Sequence, residues 1–474
     1  MSTFEEKSSL TAIDHLAKGR LSVSDTVAQS LGFVAPVMGV AFLTNLVAMG
    51  AGAASPLAML LGGIGVLFIG LTVAQFAHKY PHAGSMYEYV SQTAGPFPGF
   101  MAGWIYMIGA LFLSVAIFPG LGGFIQGLFA AHNITVPWIW FSLGFVVVSL
   151  LLQYIDIRFA TRVQLVIVFL ASAIIFVFAI YVIIKGGAQG NGWWPFNPKS
   201  AANGWSGIGK GLVFAFLMFS GFEASAVLSE ETKDAKRTIA VTVLAAVGII
   251  LVYFVVVVYA EALSYGKDAA NTKWPEDFTP LFTMGAQYGG SWLVDVLSVA
   301  AIVDAIAVTV AVAVTTTRML YALGRDGIMP RAFGKTHPKH KTPHIAIFTV
   351  SALSIVYILV SYFIGWDALT SFGFGGGTGS LALILIYLII SIAAFTLDWR
   401  GVWIARVIIP IIAIGLTAYA IYSSVYPVPP APNRWMPYVM LALIVVGVIV
   451  GLVARSRKVP AMLSVEGQVQ ADVA

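Results

Sequence analysis

The sequence predicts an all-α polytopic membrane protein with twelve transmembrane helices, and three observations predict it. Of 474 residues, 59% are hydrophobic and 10% charged, with a mean hydropathy of +0.89; an ordinary soluble chain carries roughly a quarter charged residues. Twelve apolar stretches each have the length to cross the ~30 Å hydrocarbon layer, which takes about 20 residues at 1.5 Å each. Two of those stretches are interrupted near their middles by residues that weaken a helix.

The elements follow in chain order. Residues 1–21 carry Glu5, Glu6, Lys7, Asp14, Lys18 and Arg20, which is wrong for a cleaved signal peptide and reads as a short cytoplasmic arm. The first crossing, 22–49, is broken at Ala35-Pro36-Val37-Met38-Gly39, because proline removes a backbone donor and clashes with the preceding turn. Crossings two to five occupy 55–77, 99–130, 134–153 and 159–184, and 22–185 forms the first unit of five. The connection 186–205 holds Trp193-Trp194-Pro195-Phe196, aromatics suited to the headgroup belt. The sixth crossing, 206–231, is broken at Phe219-Ser220-Gly221-Phe222-Glu223, where glycine lowers helix stability. The seventh, 239–262, leads through a second long connection, 263–290, with Trp274-Pro275, into the eighth, 291–318. A basic connector, 319–342, contains Gly324, Gly327, Pro330 and Pro338 and reads as solvated. Crossings nine and ten, 343–364 and 367–395, close a second unit, 206–395. Stretches 99–130 and 367–395 are long enough to tilt. The last two crossings, 403–425 and 435–454, make a pair over 403–454, followed by a polar cytoplasmic tail, 460–474.

Each unit of five opens on a broken stretch and holds an odd number of crossings. Two such units in series enter the bilayer from opposite sides, so the hydropathy reads as a five-plus-five inverted repeat with broken helices 1 and 6. Charge sets the orientation. With twelve crossings and an internal N-terminus, 20 of the 26 Lys and Arg fall inside; Lys185, Lys199, Lys210, Lys267, Lys273 and Arg434 fall outside. That bias places both termini in the cytoplasm and the protein in the cytoplasmic membrane. The net charge of +5 and pI near 9.2 are therefore topological, and nucleic acid is not an expected partner. Cysteine is absent, which excludes disulfides and thiolate metal sites.

Unpaired backbone at membrane depth is tolerated only inside protein or along a cavity, and broken helices in matching positions of two halves point to a carrier's central site. A half-helix N-terminus offers amides to a carboxylate, and a C-terminus offers carbonyls to an ammonium group. Paired breaks can thus grip an amino acid; a simple amine would use only the carbonyl half. Ala35, Pro36, Val37, Met38, Gly39, Phe219, Ser220, Gly221 and Phe222 are the expected substrate-binding residues.

Two carboxylates lie deep within crossings, where each costs about 2.5–3.5 kcal/mol and faces the bundle interior. Glu223 sits within the second break. It either holds the unwound segment together or acts in gating, proton binding or substrate contact. Asp304 lies mid-way along the eighth crossing on a face of small and medium residues, Ala300, Ala307, Val308, Ala311 and Thr315. It can neutralise an ammonium group, bind a coupling cation, shuttle a proton, or simply bond a neighbouring helix. Asp25, Glu261, Asp295, Asp367 and Asp398 lie near crossing ends, where water is expected in reach. The run Gly373-Phe374-Gly375-Gly376-Gly377-Thr378-Gly379 lacks the Lys of a phosphate loop and reads as packing or a flexible gate. All seven histidines lie at crossing ends or in connections, so no metal site or cofactor is expected. Trp104, Tyr106, Phe118, Phe216, Phe219 and Phe222 are candidates to wall a pocket, though each alone reads as packed or lipid-facing.

Three segments resemble the amino acid–polyamine–organocation transporter superfamily. The longest is Phe219 to Glu223 followed by Leu228-Ser229-Glu230-Glu231-Thr232-Lys233-Asp234-Ala235-Lys236-Arg237-Thr238-Ile239, similar to the family's sixth helix and following loop. The others are Arg318-Met319-Leu320-Tyr321-Ala322-Leu323-Gly324-Arg325-Asp326-Gly327-Ile328-Met329-Pro330, and Pro81-His82-Ala83-Gly84-Ser85-Met86-Tyr87-Glu88-Tyr89-Val90. The resemblance implies a leucine-transporter-like fold, uptake or exchange of amino acids or amines, and substrate between Ala35–Gly39 and Phe219–Glu223. Two departures stand out. The family's common Gly-x-Gly is replaced by Ala35 to Gly39, and residues 163–184 lack the lysine of many proton-coupled members; Asp304 is a candidate substitute. The expected function is a secondary permease for a small amino acid or related amine, possibly proton-coupled. A polyamine or amino-alcohol carrier and a transporter-like nutrient sensor are the alternatives. A membrane enzyme is disfavoured, since no nucleophile–base pair or cofactor motif is visible. Oligomeric state, monomer or dimer, is open at this level.

Overall fold

A computed structural model describes residues 21–80, 86–131, 133–155, 157–396 and 403–456. The expected arm 1–21 (Leu21 apart), the expected tail 460–474, residues 81–85 of the third matched segment, and Asp398 lie outside the described residues. The described chain is helical, and its one extended pairing is a parallel bridge between Leu21 and Thr232.

The helices are α1 (Val23–Val34), α2 (Thr44–Ala51), α3 (Ser55–Lys79), α4 (Met86–Ala94), α5 (Pro96–Ala131), α6 (Trp138–Ile155), α7 (Ile157–Lys185), α8 (Gly204–Phe219), α9 (Ala235–Tyr265), α10 (Pro280–Gly289), α11 (Ser291–Arg325), α12 (His344–Phe363), α13 (Ala368–Ala393), α14 (Trp403–Val425) and α15 (Met436–Ser456). Ten helical runs among the described residues are long and apolar enough to cross a membrane. The first, Val23–Lys79, is 57 residues long and spans two expected crossings, while Trp138–Tyr154 is apolar but shorter. At 1.5 Å per residue such a first run exceeds one ~30 Å layer, and Gly52, at φ +53°, turns the chain within it. The connector expected at 319–342 begins later, because α11 continues through Arg325 before Asp326 caps it.

Local chemistry accounts for the start of α1. Ser22 and Asp25 form a capping box: the Ser22 amide donates to Asp25 Oδ2 at 2.9 Å, and the Asp25 amide donates to Ser22 Oγ at 3.4 Å. The bundle then wraps around α1, which packs on α7, α9 and α11, and around α8, which packs on α2, α3 and α14. α13 lies along α5. Their backbones touch: a Cβ on Gly379 would come 2.9 Å from the Gly109 carbonyl oxygen. The glycine run is thus a close-packing face inside an unbroken helix. Of the aromatics in the two long connections, Trp193 is 83% exposed, while Trp274 is fully buried.

Candidate functional site

Helix α1 stops at Ala35 because Pro36 brings no N–H and disfavours right-handed backbone in the residue before it. Ala35 takes φ 50°, ψ 67°, left-handed geometry that a residue with a side chain adopts at a cost of about 1–2 kcal/mol. One turn, Pro36–Met38, follows, then a wide π-helical segment, Gly39–Leu43, before α2 resumes the direction.

Helix α8 stops at Ser220, which has ψ 136° and bonds its hydroxyl back to the Phe216 carbonyl at 2.9 Å. Gly221 turns the chain at φ +100°, and a Cβ there would overlap the Phe33 ring, 1.9 Å from Cδ1. A 3₁₀ segment, Ala224–Glu231, carries the chain onward. The two interrupted segments touch through the Ser225 amide, which donates to Ser30 Oγ at 3.2 Å.

A cavity opens between them, with ≈ 60 Å³ available to the centres of water-sized spheres, several times the ~10–15 Å³ a single water needs. Ala35, Met38, Gly39 and Ser220 line it directly. Pro36, Val37, Phe219, Gly221 and Phe222 are all buried but stand behind this wall. The remaining wall is apolar: Phe33, Phe42, Leu113, Leu217, Val308 and Phe372 are among its members, and no charged side chain is. Sequence reasoning missed Phe33, Phe42 and Phe372. An aromatic in an apolar stretch carries no local mark of facing a cavity, although Phe33 and Phe42 flank the first break in sequence. Trp104, Tyr106, Phe118, Phe216, Phe219 and Phe222 are buried and do not line the cavity.

Each break is capped by a fully buried carboxylate. The Met38 amide donates to Asp304 Oδ2 at 2.9 Å, and the Val37 amide faces the same group. Glu223 accepts from the Tyr387 hydroxyl at 2.9 Å, with the Tyr106 hydroxyl and the amides of Gly221 and Glu223 also directed at it. Negative groups at free amides are favourable. The amide ends offered by the breaks are therefore already occupied. Asp304 Oδ1 and Glu223 Oε1 still lack a direct hydrogen bond. The Asp304 face is buried throughout, from Ala300 at 8% to Ala311 and Thr315 at 0% exposure.

Glu261 corrects a sequence expectation. Its position near a crossing end predicts water within reach, yet it is 0% exposed. Among the described residues no group of three or more His, Asp or Glu has metal-holding geometry.

The amino acid permease family model matches residues 21–450. The chain belongs to that family. This permease is 28% identical over 365 residues to the methylthioribose transporter of Bacillus subtilis (strain 168), covering 72% of this chain and 76% of the relative. It is 25% identical over 340 residues to the branched-chain amino acid permease BcaP of the same organism, covering 66% and 70%. It is 28% identical over 330 residues to the low-affinity putrescine importer PlaP of Escherichia coli (strain K12), covering 66% and 69%. The permease is thus a membrane transporter and not an enzyme.

Proposed function

We propose that this permease moves a small neutral amino acid with an apolar side chain across the cytoplasmic membrane by alternating access. The observation that carries the reading is the cavity between the breaks, whose walls hold Phe33, Leu113, Val308 and Phe372 and no charged side chain. A hydrocarbon side chain gains about 25 cal/mol per Å² of area removed from water, whereas an unpaired ammonium in such a wall is costly. An amino acid brings one ammonium group, which the carbonyls at the end of α1 can meet. Putrescine brings a second with no carboxylate facing it. One relative's name, branched-chain amino acid permease, agrees with this chemistry; the putrescine importer's does not.

The architecture proposed with it is twelve crossings, as two inverted units over 22–185 and 206–395 plus a pair over 403–454, with broken helices 1 and 6 and both termini cytoplasmic. Asp304 is the proposed coupling residue. A proton on Asp304 weakens it as an acceptor and releases the Met38 amide to the solute carboxylate, so proton and solute favour the same state. Glu223, held by Tyr387, is the proposed gate residue that keeps the second break in shape.

Purified protein in proteoliposomes tests this with radiolabelled isoleucine. The expected result is saturable counterflow, competed by valine and leucine and not by putrescine. Asp304→Asn flattens the pH dependence of uptake, while Glu223→Gln lowers uptake at every pH. Binding without counterflow would identify a sensor; competition by putrescine alone would identify a polyamine carrier.

A further inference from the structure

The cavity wall has two kinds of surface. The breaks supply the polar part, backbone together with the Ser220 hydroxyl, the one polar side chain among the described lining residues. Helices α5, α11 and α13 supply an apolar part, and among the described residues Phe372 is the single contribution of α13. A solute whose amino and carboxylate groups meet the breaks therefore extends its side chain toward that apolar part.

Phe372 is 4% exposed and held from three directions. Its backbone is pinned next door, where the Tyr357 hydroxyl donates to the Ser371 carbonyl at 2.6 Å. Its ring meets Phe42 edge to face, with centroids 5.4 Å apart and planes at 65°. The third support is Gly120 of α5. A Cβ on Gly120 would stand 2.7 Å from Phe372 Cδ2 and 3.1 Å from Cγ, whereas carbon atoms in contact keep about 3.5–4.0 Å. The ring thus occupies the place a side chain at 120 would take. Gly120 lies inside α5 without a positive φ, so its missing side chain answers to space and not to backbone geometry. The ring tip continues over Gly376, where a Cβ would come 3.4 Å from Cζ. Two glycines on facing helices therefore form a notch for one ring.

We propose that Phe372 sets the upper size of the side chain this permease carries, and that Gly120 is the positioning residue that holds its ring back. This rests on the reading of a neutral apolar amino acid as solute, and adds what limits that solute. A methyl group at 120 would make the ring retreat by about 1 Å. With its backbone pinned and α5 behind it, the ring has the cavity to move into, and the space there is only ≈ 60 Å³ for the centres of water-sized spheres. Removing the ring instead joins the notch to the cavity and makes room for an aromatic solute.

The test uses proteoliposomes with wild type, Phe372→Leu, Phe372→Ala, Gly120→Ala and the double variant Gly120→Ala/Phe372→Ala. Wild type is expected to exchange radiolabelled isoleucine and not phenylalanine. Both Phe372 variants are expected to gain phenylalanine counterflow, and Phe372→Leu serves if Phe372→Ala does not fold. Gly120→Ala is expected to raise the half-saturating isoleucine concentration about tenfold or more, the worth of one methylene in an apolar pocket, and that of alanine less than about twofold. In the double variant this loss should vanish, because alanine at 372 keeps only the Cβ, 3.4 Å from the added carbon. General loosening of α5 would not give that non-additivity. A second gauge needs no solute. Ser220→Cys puts a single thiol on the cavity wall of the cysteine-free chain. Its rate with benzyl relative to methyl methanethiosulfonate should rise with Phe372→Ala and fall with Gly120→Ala. Phe372 variants that exchange isoleucine yet exclude phenylalanine, a Gly120→Ala loss that persists without the ring, or an unchanged reagent ratio overturns the proposal. Absent isoleucine counterflow in wild type, with the reagent ratio shifting as stated, would fault the solute assignment and leave the size limit standing.

Discussion

At the residue scale, each break depends on one unusual backbone position. Ala35 accepts left-handed geometry because Pro36 leaves its neighbour few choices. Gly221 has a stricter reason. Its φ of +100° suits glycine, and the Phe33 ring occupies the place a Cβ would take. Gly221→Ala is therefore expected to destabilise by about 1–3 kcal/mol from backbone strain, with ring displacement added to it. The measurement is thermal melting in detergent with and without isoleucine: a lower Tm and a loss of the isoleucine-induced shift are expected together. A variant that melts and responds like wild type would mean that Phe33 yields freely. The break residues themselves were legible in the sequence, because proline and glycine act through their own backbones. The carboxylates that cap the breaks were legible only as buried acids, since Asp304 meets Met38 across 266 positions of chain.

At the element scale, the connection between α11 and α12 holds a histidine cluster. The His337 ring lies 4.9 Å from His340, 5.8 Å from His344 and 5.3 Å from Tyr154, centroid to centroid. Its Nδ1 accepts the amides of Lys339 and His340 at 3.3 and 3.2 Å. Desolvation, then His340, His344 and Lys339, lower the affinity of His337 for a proton relative to an ordinary imidazole. The sign follows. The folded connection prefers neutral His337, so its contribution is present above the ordinary imidazole value of about 6.5 and is lost as pH falls below it. Hydrogen exchange at His337, which donates its amide to the Thr342 carbonyl at 2.8 Å, and at Lys341 is expected to quicken on acidification. His337→Gln should remove that pH dependence; exchange that stays pH-independent relative to intrinsic rates in wild type would contradict it. All seven histidines fall in connections or at crossing ends in the sequence, but the packing of His337 and His340 on Tyr154, with His344 beside His337, required the fold.

At the scale of the whole molecule, three distant segments close one end of the bundle. Leu21 pairs with the chain after the second break, its amide donating to the Glu231 carbonyl at 2.8 Å and its carbonyl accepting from Lys233 at 3.0 Å. Arg318, near the end of α11, meets Glu231 at 3.1 Å with both side chains under 5% exposed. Breaking such a pair on one side strands a buried charge and costs about 3–5 kcal/mol. Arg318→Ala is expected to lower Tm and to favour the state open at this end, since the lost contact belongs to the closed one. The cysteine-free chain offers a direct readout: a single Ser220→Cys should label faster from that side with an impermeant thiol reagent once Arg318 is removed. Replacing both partners by methionine should recover most of the stability. Equal labelling in the two backgrounds would show that the pair does not hold this end shut.

Composition and apolar run length determined that this chain is a helical membrane protein, because the hydrocarbon layer imposes its length and its polarity on any crossing segment. Proline and glycine likewise determined where two of those segments stop. The tertiary structure decided what lies around the stops: an apolar cavity bounded by Phe33, Phe42 and Phe372, and buried acids turned onto free amides. It also decided that Glu261, one residue short of the end of its apolar stretch 239–262, is fully buried. The physical reason is the same in each case. Transfer into lipid is a property of a segment and can be summed along the chain, whereas which side chain faces a cavity, and which connection folds over a helix end, depends on contacts between residues far apart in sequence.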